Sequence, residues 1–373
     1  MSSKEQIPIP VLIMLPPAGG SQAEEWMASA RRAAALDLLD MLSGLQDIGE
    51  AYVLAANTAD REALAAVGAS PVDEPPPPFH FGQVLASFVI ERGMDRLAYF
   101  GGASAPLLSK EMITDACNQI APTAAPAAAV NNLHSTDWVI LNHAQTLAEI
   151  APRLPKDNSL GWVLEREAGF TVHSQAPSAA TRADIDTPTD LLLMAGHPHL
   201  GPNLQSFLEQ APQELLERVG RLRQILDTPG CTLSVIGRSA SAMWSQLERK
   251  TQIWVRLFVE ERGMVASGRL EHGMVRSLVA QALEDAGPRA FIRQLELLSD
   301  AVLWDTRVWM AHRGSWPSAA DRYAADLGWA SQVRDRAIRR LTQEINRASI
   351  PILTGGHGVV SGSAYALLET MLD

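Results

Sequence analysis

Two aspartates two residues apart, Asp184 and Asp186, stand just before a segment that is typical of a helix start. Side chains at i and i+2 of an extended segment project to the same face, so the two carboxylates can converge on one cation. Thr187 suits the N-cap of that helix, with Pro188 at its first position and Asp190 in its first turn. Mg²⁺ takes one or two carboxylates and fills its other positions with water and substrate phosphate. The pattern therefore predicts either a metal site at a strand-to-helix junction or a helix start whose acidic first turn complements the helix dipole.

The composition is that of an ordinary globular protein. Its 373 residues, 47% of them hydrophobic and 20% charged, are enough for two domains with a substantial core. The 42 acidic residues outnumber the 31 basic ones and give a formal net charge of −11. This balance argues against general nucleic-acid binding, although it leaves room for a local basic pocket.

The N-terminal segment and the cysteines bear on location. The apolar run at residues 7–15 is interrupted by prolines and lacks the features of a signal peptide, so it predicts the first strand. No segment has the length and hydropathy of a membrane span. Cys117 and Cys231 lie far apart, so neither a disulfide framework nor a structural zinc site is expected. A cytoplasmic location is the expectation that follows.

Apolar strand-like runs alternate with helical patterns, which is typical of a mainly parallel α/β sheet. The character changes after Leu200-Gly201-Pro202, so we expect one α/β domain at residues 1–200 and a second at 201–373. In the second domain, strands are predicted at residues 231–236, 252–259, 301–307, 308–310 and 350–353.

Two polar segments of the first domain suit a nucleotide. Gly19, Gly20 and Ser21 precede a long helical pattern, where backbone N–H groups and the helix dipole favour a phosphate. A simple tight turn explains the same residues. Asn131 and Asn132 follow an apolar linker and suit hydrogen bonds to a sugar or base, or else cap the next helix.

Two further motifs carry a family resemblance. One is Asp184-Ile185-Asp186-Thr187-Pro188-Thr189-Asp190-Leu191, and the other is Gly101-Gly102-Ala103-Ser104-Ala105-Pro106-Leu107-Leu108. With them, the stretch from residue 11 to residue 192 resembles the GT-A-type nucleotidyltransferase superfamily. It is most similar to the branch that holds molybdenum-cofactor guanylyltransferases and phospholactate guanylyltransferase. The family often has Glu where this chain has Thr189, and its metal-binding Asp where this chain has Gly102.

The resemblance implies a Rossmann-like GT-A sandwich, with a mostly parallel sheet and helices on both faces. It implies nucleotide contacts at Gly101 and Gly102, and Mg²⁺ at Asp184 and Asp186. The implied reaction transfers a nucleotidyl group from a nucleoside triphosphate to a small phosphorylated or hydroxylated acceptor. Because position 102 lacks the acid, a protein that binds a nucleotide or phosphorylated metabolite without catalysis is the alternative.

The second domain has a candidate anion pocket of its own. Ligands of open α/β sheets bind outside the carboxyl ends of the strands, and arginine suits phosphate or carboxylate because its fork binds both oxygens. Residues of this kind follow four predicted strands: Arg238, Arg262, His312, Arg313 and His357. The competing expectation is that the arginines form ion pairs with nearby acids.

Overall fold

The chain forms two compact units. The structure is a computed structural model and describes residues 8–102, 105–120 and 124–371. Unit 1 comprises the described residues up to Ala18, with Ser29–Arg182 and Gly201–Leu204. Unit 2 comprises Gly19–Ala28, Ala183–Leu200 and the described residues from Gln205 onward. The division differs from the boundary expected near residue 200, because residues 183–200 pack within unit 2, where Leu192 and Leu193 enter its apolar core.

Unit 1 is built on one mainly parallel sheet. Its strands are β1 (Ile9–Leu15), β2 (Ile48–Ala55), β3 (Ser70–Val72), β4 (Leu97–Gly101), β5 (Ala127–Val130), β6 (Trp138–Leu141) and β7 (Thr171–Ser174). Its helices are α1 (Gln22–Ser43), which begins in unit 2, and α2 (Thr58–Ala65), α3 (Phe81–Glu91), α4 (Lys110–Ile120), α5 (Leu147–Ile150), α6 (Leu160–Arg166) and α7 (Ala179–Arg182). The strand order is β3-β2-β1-β4-β6-β5-β7, in which β6 alone runs antiparallel to its neighbours.

Both faces of this sheet are covered. Successive side chains of a strand point to opposite faces, so Val11 and Ile13 of β1 enter one apolar core while Leu12 and Met14 enter another. Helices α1 and α4 supply the first core, and α3, α5 and α6 supply the second. Burial on both faces explains why the strands are almost continuously apolar. The expected α/β class with helices on both faces is confirmed.

The topology of unit 1 reverses between β1 and β4. Strands β2 and β3 lie on one side of β1, and β4 begins the other side. The carboxyl ends of β1, β4 and β5 therefore share one edge with the amino end of antiparallel β6. Such a reversal is where open α/β sheets form a ligand crevice.

Unit 2 has an all-parallel, four-stranded sheet. Its strands are β8 (Thr232–Gly237), β9 (Trp254–Val259), β10 (Ala301–Asp305) and β11 (Ile352–Gly355), in the order β11-β10-β8-β9. Its helices are α8 (Pro188–Met194), α9 (Pro202–Glu209, which begins in unit 1), α10 (Gln213–Leu226), α11 (Ser241–Lys250), α12 (Leu278–Ala286), α13 (Pro288–Leu298), α14 (Arg307–His312), α15 (Ala319–Asp326), α16 (Arg336–Arg347) and α17 (Gly362–Glu369). The second α/β unit is thus present, and its strand order reverses between β8 and β10.

The predicted strand at residues 308–310 is wrong, and so is the expectation that a strand leads into α8. Residues 308–310 lie in helix α14, which begins directly after β10 and whose Arg307 N–H donates to the carboxylate of Asp305 (3.2 Å). Residues 183–187 belong to no strand and connect α7 to α8. Short apolar runs do not distinguish a strand from a buried helix by periodicity alone. None of the described helices is both long and apolar enough to cross a membrane.

Candidate functional site

The two aspartates of the closing motif lie in unit 2, in the link that precedes α8. The side chain of Asp186 is half exposed (51%), and its Oδ2 lies 3.7 Å from Nδ1 of His357. Oδ1 of Asp184 accepts a hydrogen bond from the N–H of Ile185 at 2.7 Å. The expected strand-to-helix junction is therefore a helix-to-helix link, in which Asp186 is an accessible carboxylate.

Helix α8 begins as the sequence predicts. The N–H and Oγ1 of Thr187 donate to Oδ2 of Asp190, at 2.7 and 2.8 Å, and Pro188 is the first helical residue. Oδ1 of the same buried carboxyl accepts from Oγ of Ser363 at 2.8 Å. Asp190 is thus a structural cap with no solvent contact, and it anchors α8 to α17.

Burial and one hydrogen bond explain why threonine, and not the glutamate expected from the resemblance, suits position 189. Thr189 is 2% exposed and its hydroxyl donates to the backbone carbonyl of Thr354 at 2.5 Å. A carboxylate there would be buried against a carbonyl oxygen, with no proton to donate.

The pKa of Asp190 is raised to about 7, chiefly by burial and in smaller part by the nearby charge of Asp186. The hydrogen bonds from Thr187 and Ser363 act in the opposite direction, because they favour the ionised carboxylate. Desolvation dominates since this carboxyl is enclosed on every side. The charge on this helix cap therefore changes near neutral pH.

The fit of this link to a metal is limited to a water-rich ion. Within residues 8–102, 105–120 and 124–371, no three or more His, Cys, Asp or Glu side chains are grouped so that they could hold a metal. Mg²⁺ does not require such a cage, since one or two carboxylates with water and phosphate suffice. The accessible carboxylate of Asp186 fits that coordination, whereas the enclosed Asp190 does not.

The predicted phosphate loop in unit 2 forms a helix cap that already holds a carboxylate. Ser21 and Glu24 form a capping box: the N–H and Oγ of Ser21 donate to Oε2 of Glu24 (3.1 and 2.7 Å), and the N–H of Glu24 donates to Oγ of Ser21 (3.2 Å). A Cβ atom on Gly19 would lie 2.1 Å from Cδ of Glu24. A phosphate at this helix start would have to displace that carboxylate, so the geometry is that of the tight turn rather than of an open anion site.

The topological reversal of unit 1 is marked by a very close backbone contact. A Cβ atom on Gly102, just after β4, would lie 2.3 Å from the carbonyl oxygen of Met14 and 2.7 Å from Cα of Leu15, at the end of β1. Real Cβ atoms do not approach backbone this closely. The family's acid at this position is therefore excluded by packing. Ala103 and Ser104 of the same motif lie outside the described residues.

One carboxylate beside this point was missed from the sequence. Oδ2 of Asp157 accepts a hydrogen bond from the hydroxyl of Tyr99 at 3.1 Å, and a Cβ on Gly101 would lie 3.3 Å from the same oxygen. The N–H of Gly101 donates to the carbonyl of Asp137 at 2.8 Å. No local pattern connects Asp157 with β4, because the two are far apart in the chain and only the fold brings them together.

The asparagines hold this edge of unit 1 together. Asn131 is 3% exposed; its Oδ1 accepts from the N–H groups of Asp137 (2.9 Å) and Trp138 (3.3 Å). Its Nδ2 donates to Oδ2 of Asp137 (2.7 Å) and to the carbonyl of Thr181 (3.3 Å). Oδ1 of Asn132 accepts from the N–H of His134 at 3.2 Å. The side chain of Asn131 therefore binds groups of the protein itself and holds the ends of β5 and β6 together.

The reversal of unit 2 is closed by an ion pair. Arg238, just after β8, forms a bidentate ion pair with the buried Asp305 at the end of β10. Its Nε donates to Oδ2 at 2.5 Å and its Nη2 to Oδ1 at 3.2 Å. Gly237 has φ +116°, and a Cβ there would lie 2.5 Å from Cβ of Asp305. The expectation of ion pairs instead of an open pocket holds for Arg238.

The other residues of the expected anion pocket have separate partners. His312 and Arg313 lie at the end of helix α14 rather than of a strand, which corrects their predicted placement. Nδ1 of His312 accepts from the N–H of Ser277 (3.0 Å), and Arg313 pairs with Asp335 (3.0 Å). His357 faces Asp186, as described above. Arg262 is exposed in a turn, where its carbonyl accepts from Arg269.

Comparisons with known proteins give likeness of fold only. No protein-family model matches the chain, and no curated protein matches it. Solved structures of nucleotidyltransferase type do match about half of it. One is a cytidylyltransferase from Leptospira borgpetersenii, with 13% identity, 58% of this chain and 95% of that chain covered, and a TM-score of 0.40.

Two other solved structures are similar to about the same extent. A protein described as a nucleotide-diphospho-sugar transferase, from Desulfovibrio desulfuricans, has 11% identity, covers 57% of this chain and 98% of its own, and has a TM-score of 0.41. CMP:2-keto-3-deoxy-manno-octonic acid synthetase, complexed with CTP, has 12% identity, covers 49% of this chain and 95% of its own, and has a TM-score of 0.37. Likeness this distant says nothing about substrate or activity, so the fold rests on the strand order described above.

We expect Gly102→Ala to destabilise the protein, because its Cβ would overlap the backbone of β1. Overpacking of this kind costs about 1–3 kcal/mol. Gly102→Asp, which adds a larger side chain at the same place, should cost at least as much. Gly20→Ala is the control, since nothing lies within 4 Å of its Cβ, and it should change stability by less than about 0.5 kcal/mol. Urea unfolding measures all three, and equal effects of Gly102→Ala and Gly20→Ala would contradict the contact.

We expect Asp190 to make stability fall as pH rises between about 4 and about 7. The folded state raises the pKa of this carboxyl from 3.8 to about 7, so in this range it holds a proton that the unfolded chain releases. Below the unfolded pKa both states are protonated and the cost is absent. Above pH 7 the ionised form is buried, at a cost on the order of 4 kcal/mol.

The check is urea unfolding across this pH range for the wild type and Asp190→Asn. The amide keeps the shape and cannot ionise, so its stability should vary less with pH than that of the wild type. Asp285→Asn, on the exposed face of α12, should leave the wild-type slope unchanged. An identical slope in wild type and Asp190→Asn would refute the assignment.

Proposed function

We propose that this chain is a nucleotidyltransferase-like protein whose unit 1 binds a nucleoside triphosphate outside the carboxyl ends of β1 and β4. The observation that supports it is the reversal of strand order at that point, where Gly102 lies against the end of β1. Ligands of open α/β sheets bind in such crevices. Because Gly102 has no side chain, the chain that leaves β4 packs directly against the backbone at the end of β1.

The polar groups at the same edge suit the sugar of a nucleotide. The carboxylate of Asp157, positioned by the buried Tyr99 beside Gly101, is a hydrogen-bond acceptor. We assign it to the ribose hydroxyls, which are donors. Asn131 and Asp137 brace the adjoining strand ends, so their role in this proposal is to keep the edge rigid.

The proposed reaction is transfer of the nucleotidyl group to a small phosphorylated or hydroxylated acceptor. An acceptor oxygen forms a bond to the α-phosphorus, the bond to the bridging oxygen breaks, and pyrophosphate leaves. Separately, we propose the carboxylates of Asp184 and Asp186 in unit 2 as ligands of Mg²⁺, an ion that takes one or two carboxylates together with water. The finer placement in the molybdenum-cofactor guanylyltransferase branch is part of this proposal.

The test is a thermal-unfolding screen of the four nucleoside triphosphates with and without Mg²⁺. At least one nucleotide should raise the melting temperature, and Mg²⁺ should increase that rise. A ligand at a hundred times its Kd stabilises by about 2.7 kcal/mol, which is readily measured. The proposal fails if no triphosphate shifts the transition.

Two variants with matched controls separate the parts of the proposal. Asp157→Asn should weaken nucleotide stabilisation in the presence and absence of Mg²⁺, whereas Glu62→Gln on exposed α2 should not. Asp186→Asn should abolish the stabilisation that Mg²⁺ gives without nucleotide, whereas Glu248→Gln, at an exposed position of α11, should retain it. Nucleotide binding that never responds to Mg²⁺ would instead indicate a binding protein without transfer chemistry.

A further inference from the structure

Helices α13 and α16 of unit 2 line a cavity of about 400 Å³. Sites for small molecules span roughly 300–1,000 Å³, so the cavity is large enough for one. Its charged lining residues are Arg289, Arg293 and Glu296 of α13 with Glu344 and Arg347 of α16. Three arginines thus surround one cavity in a chain whose net charge is −11. This cavity belongs to unit 2, whereas the nucleotide crevice proposed above belongs to unit 1.

Both helices are fixed on the apolar core of unit 2. Phe291 and Leu295 of α13 and Leu341 and Ile345 of α16 are buried in that core. The first turn of α16 is capped by Asp335, whose Oδ1 accepts hydrogen bonds from two backbone N–H groups at 2.9 and 3.0 Å. The side chains that line the cavity therefore project from rigid elements, which position a binding site more precisely than loops do.

Two of the arginines have no carboxylate partner. Arg289 and Arg293 lie at i and i+4 of α13, so they are neighbours on one face of the helix. Both are exposed, and within residues 8–102, 105–120 and 124–371 no group forms a hydrogen bond or ion pair with either guanidinium. Like charges at this spacing repel each other, so an anion bound between them would stabilise the pair.

The acids of the cavity are held by other groups. Oε1 of Glu296 accepts hydrogen bonds from the N–H and Oγ of Ser349, at 2.7 and 2.9 Å. Oε1 of Glu344 pairs with Arg347 at 2.7 Å. Neither carboxylate forms an ion pair with the two arginines of α13, but each can accept further hydrogen bonds from hydroxyl groups. The cavity therefore combines unpaired cations with acceptors for hydroxyl groups.

We propose that this cavity binds a small phosphorylated sugar or polyol. A phosphate monoester carries a charge of about −1.5 to −2 at pH 7, which matches the two unpaired guanidiniums of Arg289 and Arg293. The guanidinium fork suits phosphate because it donates two parallel hydrogen bonds to it. The hydroxyl groups of the ligand donate to the carboxylates of Glu296 and Glu344. The cavity, at about 400 Å³, also has room for the carbon skeleton.

The experiment is isothermal titration calorimetry of the full chain with ribose 5-phosphate, inorganic phosphate and acetate. The ionic strength is kept constant, because salt screens exposed charges. Ribose 5-phosphate should bind with a Kd several-fold lower than that of inorganic phosphate, since its hydroxyl groups add hydrogen bonds. Acetate, with a single charge, should bind more weakly than either.

Variants locate the binding in this cavity. Arg293→Gln should raise the Kd for ribose 5-phosphate by at least about 10-fold, as for the loss of a hydrogen bond to a charged group. Arg293→Lys keeps the charge without the fork, so its Kd should lie between those of the wild type and Arg293→Gln. Arg256→Gln removes an exposed arginine of β9 and should leave the Kd unchanged. Circular dichroism checks that each variant is folded.

Three results would overturn this inference. The first is the absence of saturable binding of ribose 5-phosphate to the wild type. The second is an equal loss of affinity in Arg293→Gln and Arg256→Gln, because net charge would then explain the binding. The third is inorganic phosphate that binds as tightly as ribose 5-phosphate, because the ligand would then be free phosphate rather than a sugar or polyol.

Discussion

The contact between Gly102 and the end of β1 is the constraint on which unit 1 and its candidate site depend. Strands β1 and β4 lie side by side where the strand order reverses. Any Cβ atom at position 102, just after β4, would overlap the backbone at the end of β1. This close contact leaves no room for a side chain at position 102. Glycine at position 102 is thus a packing requirement of this protein, and an acid there would disturb the end of β1.

Unit 2 has the same kind of reversal but fills it with its own side chains. Arg238 and the buried Asp305 bridge the ends of β8 and β10 as a two-pronged ion pair. Removing one partner of such a pair leaves the other charge buried and unpaired, which typically lowers the free energy of unfolding by about 3–5 kcal/mol. The arginine that the sequence offers as an anion ligand is therefore committed to holding this sheet edge, which is why nucleotide binding is proposed for unit 1.

Helix caps and the fold class could be predicted from the sequence, whereas contacts between residues far apart in the chain could not. The cap of α8 follows from Thr187, Pro188 and Asp190 alone, and the α/β class follows from alternating patterns. No local pattern indicates that α8 packs within unit 2, where Leu192 and Leu193 enter the core and Thr189 donates to the carbonyl of Thr354. Likewise Asp157 reaches Gly101 only through the fold. Residues 308–310 are a short apolar run, and such runs do not distinguish a strand from a buried helix.

Hydrogen–deuterium exchange with and without a stabilising nucleoside triphosphate tests the central claim most directly. The account predicts slower exchange in the peptides that contain Gly101 and Gly102 and in those around Asp157, at the reversal of unit 1. It predicts no change in the peptide that contains Gly237 and Arg238, because that reversal is already closed by Asp305. Protection of the Arg238 peptide, with none at Gly101 and Gly102, would contradict the account.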